Sequence, residues 1–319
     1  MTSICHPDLI SIIINYLSID DILTLFNILK SMPDIENVNT ILINRDVSYD
    51  KIRNMDEYLY PCIVSLTDVN EISKNRLKKL SNLKKLELKL SKKFPLKKLP
   101  NTIESLKVDI RCVNFKFETE FPENLKHFSS YDKFTHNLPL SLESLECNYY
   151  YVDKVLSNYT KLKELTLKNY NYCQIIPSSV LKLKLIESYN RKHCTKDHFP
   201  QNLISLEINC DYKSNLISYF PLSLEHLSLN EDEKIGFNNN VQDIDLSKFI
   251  NLKTLKIFLK SFKNIIIPEN VTEFQINDIF SLANLPDKTE TIINSQYNVK
   301  ITKLSFFPWC LPAIKDFFS

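Results

Sequence analysis

The stretch LPLSLESLEC, Leu138 to Cys147, decides the fold, because the chain keeps returning to it. Read as apolar-Pro-x-x-Leu-x-x-Leu-x-apolar, the phrase recurs as LPNTIESLKV from Leu99, FPQNLISLEI from Phe199, FPLSLEHLSL from Phe220 and IPENVTEFQI from Ile267. Looser copies begin at Phe121, Ile176 and Leu285, and copies without the proline at Leu80, Tyr159 and Phe249. Anchored on the first residue of Leu-x-x-Leu, they fall at 83, 103, 125, 142, 162, 180, 203, 224, 252, 271 and 289. The shortest interval is 17 residues (125 to 142) and the longest 28 (224 to 252). A repeat of this length is one supersecondary unit that cannot bury its apolar face alone and must stack on its neighbours.

Within a copy, alternation such as Leu145 and Cys147, or Leu165 and Leu167, predicts a short strand with one buried face. Stacked in parallel, the copies should align Leu86, Leu106, Phe128, Leu145, Leu165, Leu183, Leu206, Leu227, Leu255 and Phe274 as a buried column. The proline three residues before the anchor (100, 122, 139, 177, 200, 221, 268 and 286) must lie ahead of the strand, where no ladder donor is needed. The fold expected is an α/β repeat with about 11 to 13 short parallel strands.

The pattern resembles the leucine-rich-repeat family, and the Ile-Pro-x-Ser/Asn-Leu/Val-x-x-Leu phrasing resembles its FNIP-type branch, known from amoebae and large DNA viruses of amoebae. The resemblance covers roughly residues 80 to 295 and implies an irregular solenoid that binds other proteins. One departure stands out. The family's Asn, eight residues after the anchor, is replaced here by residues that include Arg111, Lys133, Tyr150, Tyr170, Asp211 and Lys260, so the hydrogen bonds between turns must be met in another way.

Residues 6–32 are of a different kind. Leu9, Ile12, Ile13, Tyr16 and Leu17 recur at helical spacing behind Pro7. Ser18-Ile-Asp-Asp21 reads as a helix-start box, followed by a second stripe of Ile22, Leu25, Phe26 and Leu29. Pro7-Asp8-Leu9, Ile13, Tyr16-Leu17, Asp21-Ile22-Leu23 and Leu25 give this pair its resemblance to an F-box. His6 and Leu29-Lys30 depart from that pattern. The resemblance implies docking on a Skp-type adaptor of an SCF ubiquitin ligase through Pro7, Leu9, Ile13, Leu17, Leu23 and Leu25, with an unidentified substrate protein held by the repeats. The alternative is a free-standing repeat scaffold whose helices only cap the first repeat. The organisation expected is an F-box-like segment over 1–36, repeats over 37–298 and a C-terminal cap over 299–319. Phe306, Phe307, Trp309, Phe317 and Phe318 would form that cap. Val38-x-x-Ile41-x-Ile43 and Ile63-x-x-Leu66 read as two degenerate repeats, and EDEKIGFNNNVQDID, from 231 to 245, as a protruding loop.

Composition removes several functions. Net charge is +2, from 40 basic and 38 acidic residues, which lacks the basic excess of a nucleic-acid binder. A single glycine, Gly236, cannot write a phosphate-binding loop, a dinucleotide fingerprint or a nucleophile elbow. The eight cysteines form no Cys-x-x-Cys pair. His193, Cys194 and His198, with Cys173 and Cys210, lack the short recurring spacings of a zinc site. No catalytic grouping, cofactor or metal is expected. With no signal peptide and no spanning run, the expectation is an intracellular, cytoplasmic protein that inserts in no membrane, in the host's cytoplasm if the source is viral. The binding row expected lies four residues after each anchor: Glu87, Lys107, Ser129, Glu146, Thr166, Lys184, Glu207, Ser228, Lys256 and Gln275.

Overall fold

A computed structural model of the chain describes residues 10, 13–14, 16–30, 42–53, 55–91, 97–111, 116–152, 156–170, 175–188, 196–210, 214–230, 243–258, 264–276 and 300–301. It is an α/β protein in which parallel strands follow one another in chain order, and it divides into two compact units, Met1–Leu162 and Lys163–Ser319. The division at 162 falls inside the stretch read as one repeat array.

In the first unit the strands are β1 (Ile43–Ser48), β2 (Ile63–Val69), β3 (Lys85–Leu90), β4 (Ser105–Ile110), β5 (His127–Ser130) and β6 (Ser144–Asn148). Each pairs in parallel with the next. The register carries Leu66, Leu86, Leu106, Phe128 and Leu145 as consecutive rungs, all at most 2% exposed. In the second unit β7 (Glu164–Lys168), β8 (Lys182–Ser188), β9 (Ser205–Cys210), β10 (His226–Asn230), β12 (Thr254–Phe258), β14 (Glu273–Ile276) and β15 (Lys300–Ile301) repeat the arrangement. There Leu165, Leu183, Leu206, Leu227, Leu255 and Phe274 stand in register and are buried. The ten described anchors, from Leu83 to Val271, are buried too. Each strand thus contributes an inward pair to a core that no single repeat could close.

A tight turn leads into most of the strands. The N–H of the anchor donates to the carbonyl three residues earlier, as Ile103 does to Pro100 (3.2 Å), Leu125 to Pro122 (3.1 Å) and Leu203 to Pro200 (3.2 Å). The copies without proline make the same bond, Leu83 to Leu80 (3.1 Å) and Leu252 to Phe249 (3.0 Å). The turn is therefore the constant, and proline, which has no N–H to lose, fits its first position.

The hydrogen bonds between turns come from the residue before the anchor. Asn82 Nδ2 donates to the Pro61 carbonyl at 2.8 Å, Asn251 Nδ2 to Leu222 at 3.1 Å, and Asn270 Nδ2 to Ile250. Ser141 Oγ lies 2.8 Å from the carbonyls of both Glu123 and Leu125, and Ser223 Oγ lies 2.8 and 2.7 Å from those of Gln201 and Leu203. These side chains do from the near end of the strand what the family's Asn does from the far end. At the far end, Asp132 accepts the N–H of Ile110 at 2.7 Å. Asp68 and Asn169 adopt φ of 58° and 59°, a region that Asp and Asn enter more readily than other non-glycine residues.

Four expectations are corrected. The strand before β2 is Ile43–Ser48, in which Ile43 stands opposite Ile63 and, past a one-residue irregularity between Ile43 and Asp46, Val47 rather than Ile41 stands opposite Leu66. Val38 and Ile41 lie outside the described residues. Beside β14 stand Lys300 and Ile301, which pair with Glu273 and Phe274, rather than residues set by an anchor at 289; Thr289 would place a hydroxyl where every described anchor is apolar. The stretch 231–245 is not loop throughout, since β11 (Asp243–Asp245) pairs in parallel with β13 (Asn264–Ile266). Finally, the first N-terminal stripe is rotated. Ile10 and Ile14 are buried, whereas Ile13 is 49% and Tyr16 86% exposed. Consecutive isoleucines at 12, 13 and 14 satisfy more than one helical face, so spacing alone could not select it. The expected cap over 299–319 lies outside the described residues but for Lys300 and Ile301.

Helix α1 (Ile19–Lys30) starts as its sequence demands, with Ser18 Oγ accepting the Asp21 N–H at 3.2 Å and donating to Asp21 Oδ2 at 2.6 Å. Ile22, Phe26 and Leu29 form its buried face. Short helices α2 (Tyr49–Arg53) and α3 (Lys74–Lys79) belong to the same unit. Lys51 Nζ reaches Asp20 at 2.6 Å, and the Arg45 guanidinium donates to the Leu17 carbonyl, so α1 is fastened to the first repeats.

Candidate partner-binding faces

Strand alternation sends the residue after each column leucine out of the core. In the first unit Glu87, Lys107, Ser129 and Glu146 are consecutive rungs, and in the second Thr166, Lys184, Glu207, Ser228, Lys256 and Gln275 are. Lys107 and Lys256 are exposed and the other eight half-buried. The row brings together every residue expected in it, within each unit.

Neighbouring rungs neutralise much of the charge. Glu87 lies 3.3 Å from Lys107 and 3.9 Å from Lys89, and Lys184 lies 2.9 Å from Glu207. Two flanking rows, which the period-two reading implies but the sequence analysis did not name, extend the lattice. Asp46 accepts from Ser65 Oγ at 2.6 Å and Lys85 Nζ at 2.9 Å, and Asp68 pairs with Lys89. The Ser65 hydroxyl, then Lys85, hold Asp46 below the usual carboxylate range, and Lys89 does the same for Asp68. Burial pushes Asp132 up. Glu146 is held differently, by the hydroxyls of Ser129 (2.7 Å) and Tyr131.

Of the residues expected to dock an adaptor, Ile13 is exposed, Leu17, Leu23 and Leu25 are half-buried, and Pro7 and Leu9 lie outside the described residues. Tyr16 and Ile28 (51% exposed), not among those candidates, add apolar surface to this segment. Leu23 lines a cleft of about 390 Å³ with Met55 and Leu59, bordered by Asp20, Asp50 and Asp56.

Among the described residues no group of three or more His, Cys, Asp or Glu side chains could hold a metal ion. His193, Cys194 and Cys173 lie outside them. The Cys62 and Cys147 thiols are buried, and burial raises both, Cys62 to about 11, which removes the thiolate a nucleophile needs. No described helix is long and apolar enough to cross a membrane. No protein-family model matches the chain, and no curated protein matches it.

Proposed function

We propose that the chain is a non-catalytic, protein-binding leucine-rich-repeat protein of FNIP-like type, working inside the cell, whose outward sheet rows hold a partner protein. The observation that carries this reading is the uninterrupted register of outward side chains within each unit, a preformed polar lattice on rigid strands. Its mixed charge suits a protein surface better than a polyanion. Residues 7–29 dock a Skp-type adaptor, which makes the protein a substrate receptor of an SCF-type ubiquitin ligase. Exposed Ile13, Tyr16 and Ile28 support this part, since large apolar side chains left in water serve an interface better than a cap.

A free-standing scaffold is the second reading. The fastening of α1 through Ile22, Phe26, Leu29 and the Lys51–Asp20 pair favours it, because a cap needs no more than that. Pull-down with purified adaptor separates the two. The full chain should capture it, and Ile13→Asp with Ile28→Asp should abolish capture while thermal melting stays unchanged, both side chains being about half exposed. No capture by the unaltered chain defeats the adaptor reading and leaves the scaffold.

A further inference from the structure

We propose that the end of the outward face formed by Glu146, Tyr131 and Tyr150 is a docking site for an arginine side chain presented by an extended segment of a partner protein. The inference rests on the protein-binding reading above and names the chemistry of one contact.

Glu146 differs from other outward carboxylates of the strands. Glu87 has Lys107, Glu207 has Lys184, Asp46 has Lys85 and Asp68 has Lys89. The two oxygens of Glu146 instead accept one neutral hydroxyl each, Oε2 from Ser129 at 2.7 Å and Oε1 from Tyr131. No described cation pairs with it. Two hydroxyls fix the orientation of the group without neutralising it, and a carboxylate offers about four acceptor positions, so about two remain. Asp132, half-buried beside Tyr131 in sequence, likewise has no described cationic partner; it accepts the Ile110 N–H. Glu146 therefore carries a charge that neither of the side chains bonded to it balances.

The aromatic residues here point to a particular cation. Tyr131 follows β5 directly and is 37% exposed, and Tyr150, two residues beyond β6, is 61% exposed. The Tyr150 ring meets that of Tyr149 at 6.4 Å, and Phe128, Phe134 and Tyr151 meet edge-on at 5.4 and 5.6 Å. An exposed ring whose hydroxyl orients the carboxylate, with a second exposed ring four residues further along the chain, suits a guanidinium, which forks onto a carboxylate and stacks on an aromatic face. An ammonium gains only the charge.

The test uses the full chain and blocked twelve-residue peptides of glycine and serine carrying two arginines at alternate positions, followed by fluorescence polarisation. Replacing arginine with citrulline keeps shape and removes charge, and should weaken binding by about tenfold or more. Glu146→Gln should cause a similar loss, since it keeps one acceptor oxygen for the Ser129 hydroxyl. Tyr150→Ala should weaken binding by about threefold, and its exposure makes it a variant that folds even if Glu146→Gln does not. Glu87→Gln, a carboxylate already paired, should change nothing. Equal binding by wild type and Glu146→Gln, equal losses for Glu87→Gln and Glu146→Gln, or no saturable binding of the arginine peptide below the millimolar range overturns the proposal. A random-peptide selection on the wild-type chain separates this failure from that of the general reading. Binders indifferent to both Glu146→Gln and Tyr150→Ala overturn the arginine site and leave protein binding standing.

Discussion

Leu206→Ala tests the stacked core directly. Leu206 is 1% exposed, lies in register between Leu183 and Leu227, and packs in the layer of Leu203 and Ile208, which are at most 1% exposed. The substitution removes about three buried carbon groups, or about 2.4 kcal/mol of transfer energy at ~0.8 kcal/mol each. A cavity bounded on both sides by strands that are themselves held in a ladder cannot collapse freely, which brings the expected loss to about 3–5 kcal/mol. Leu222→Ala is the matched control, the same change at a turn position that is 54% exposed, and should cost no more than about 0.5 kcal/mol. With a urea slope of about 2 kcal/mol per molar, the first variant moves its transition midpoint down by about 1.5–2.5 M and the second by about 0.25 M or less. Far-UV circular dichroism in urea reads both. A loss below about 1 kcal/mol for Leu206→Ala, or the same loss for the two leucines, would falsify the register.

Asn251→Asp replaces the donor that satisfies the Leu222 carbonyl with an acceptor facing it, so it should cost about 1–3 kcal/mol in urea unfolding; Asn251→Ser, which keeps a donor, should cost less. Acid should destabilise the first unit. Asp46, Asp68 and Glu104 are depressed by the Ser65 hydroxyl, Lys89 and Lys126 respectively. A depressed folded-state pKa gives stability that is complete above the unfolded value, near pH 4, and is lost as pH falls through the folded one. Melting temperature should therefore drop as pH falls below about 4, and Asp46→Asn with Glu104→Gln should flatten that slope; an unchanged slope refutes the assignment.

Much of this was legible because it is local. A turn that closes over three residues and a strand that alternates every second residue both leave their mark within ten residues of sequence, so the column from Leu86 to Phe274 and the row from Glu87 to Gln275 could be named. The side-chain donors at 82, 141, 223, 251 and 270 were also in view, but Asn and Ser before a strand look like ordinary turn residues until the carbonyl about 20 residues earlier is placed beside them. Val47 was missed for a similar reason: the irregularity in β1 depends on its partner, not on its own pattern. The run Ile12–Ile14 carries no phase at all, and only packing decided that Ile14 turns inward and Ile13 out. Tyr131 entered no periodic position. Its importance comes from reaching across to Glu146 on the next strand, and a linear text does not contain that adjacency.

The tight turn that opens most strands has a consequence for how such a chain changes over time. The interval from 224 to 252 is the longest in the array and that from 125 to 142 the shortest, yet β10 meets β12 through five unbroken register pairs and β5 meets β6 through four. Gains and losses of residues are therefore absorbed on the return path, while the seven residues from the first of the turn to the column leucine, as Pro200 to Leu206, admit none. An epitope tag spliced between Asn230 and Asp243 should pass unnoticed by the sheet. One extra residue between Pro200 and Leu203 should break the turn that seats β9, so lineages of this protein are free to differ in length along one flank and are held to the residue along the other.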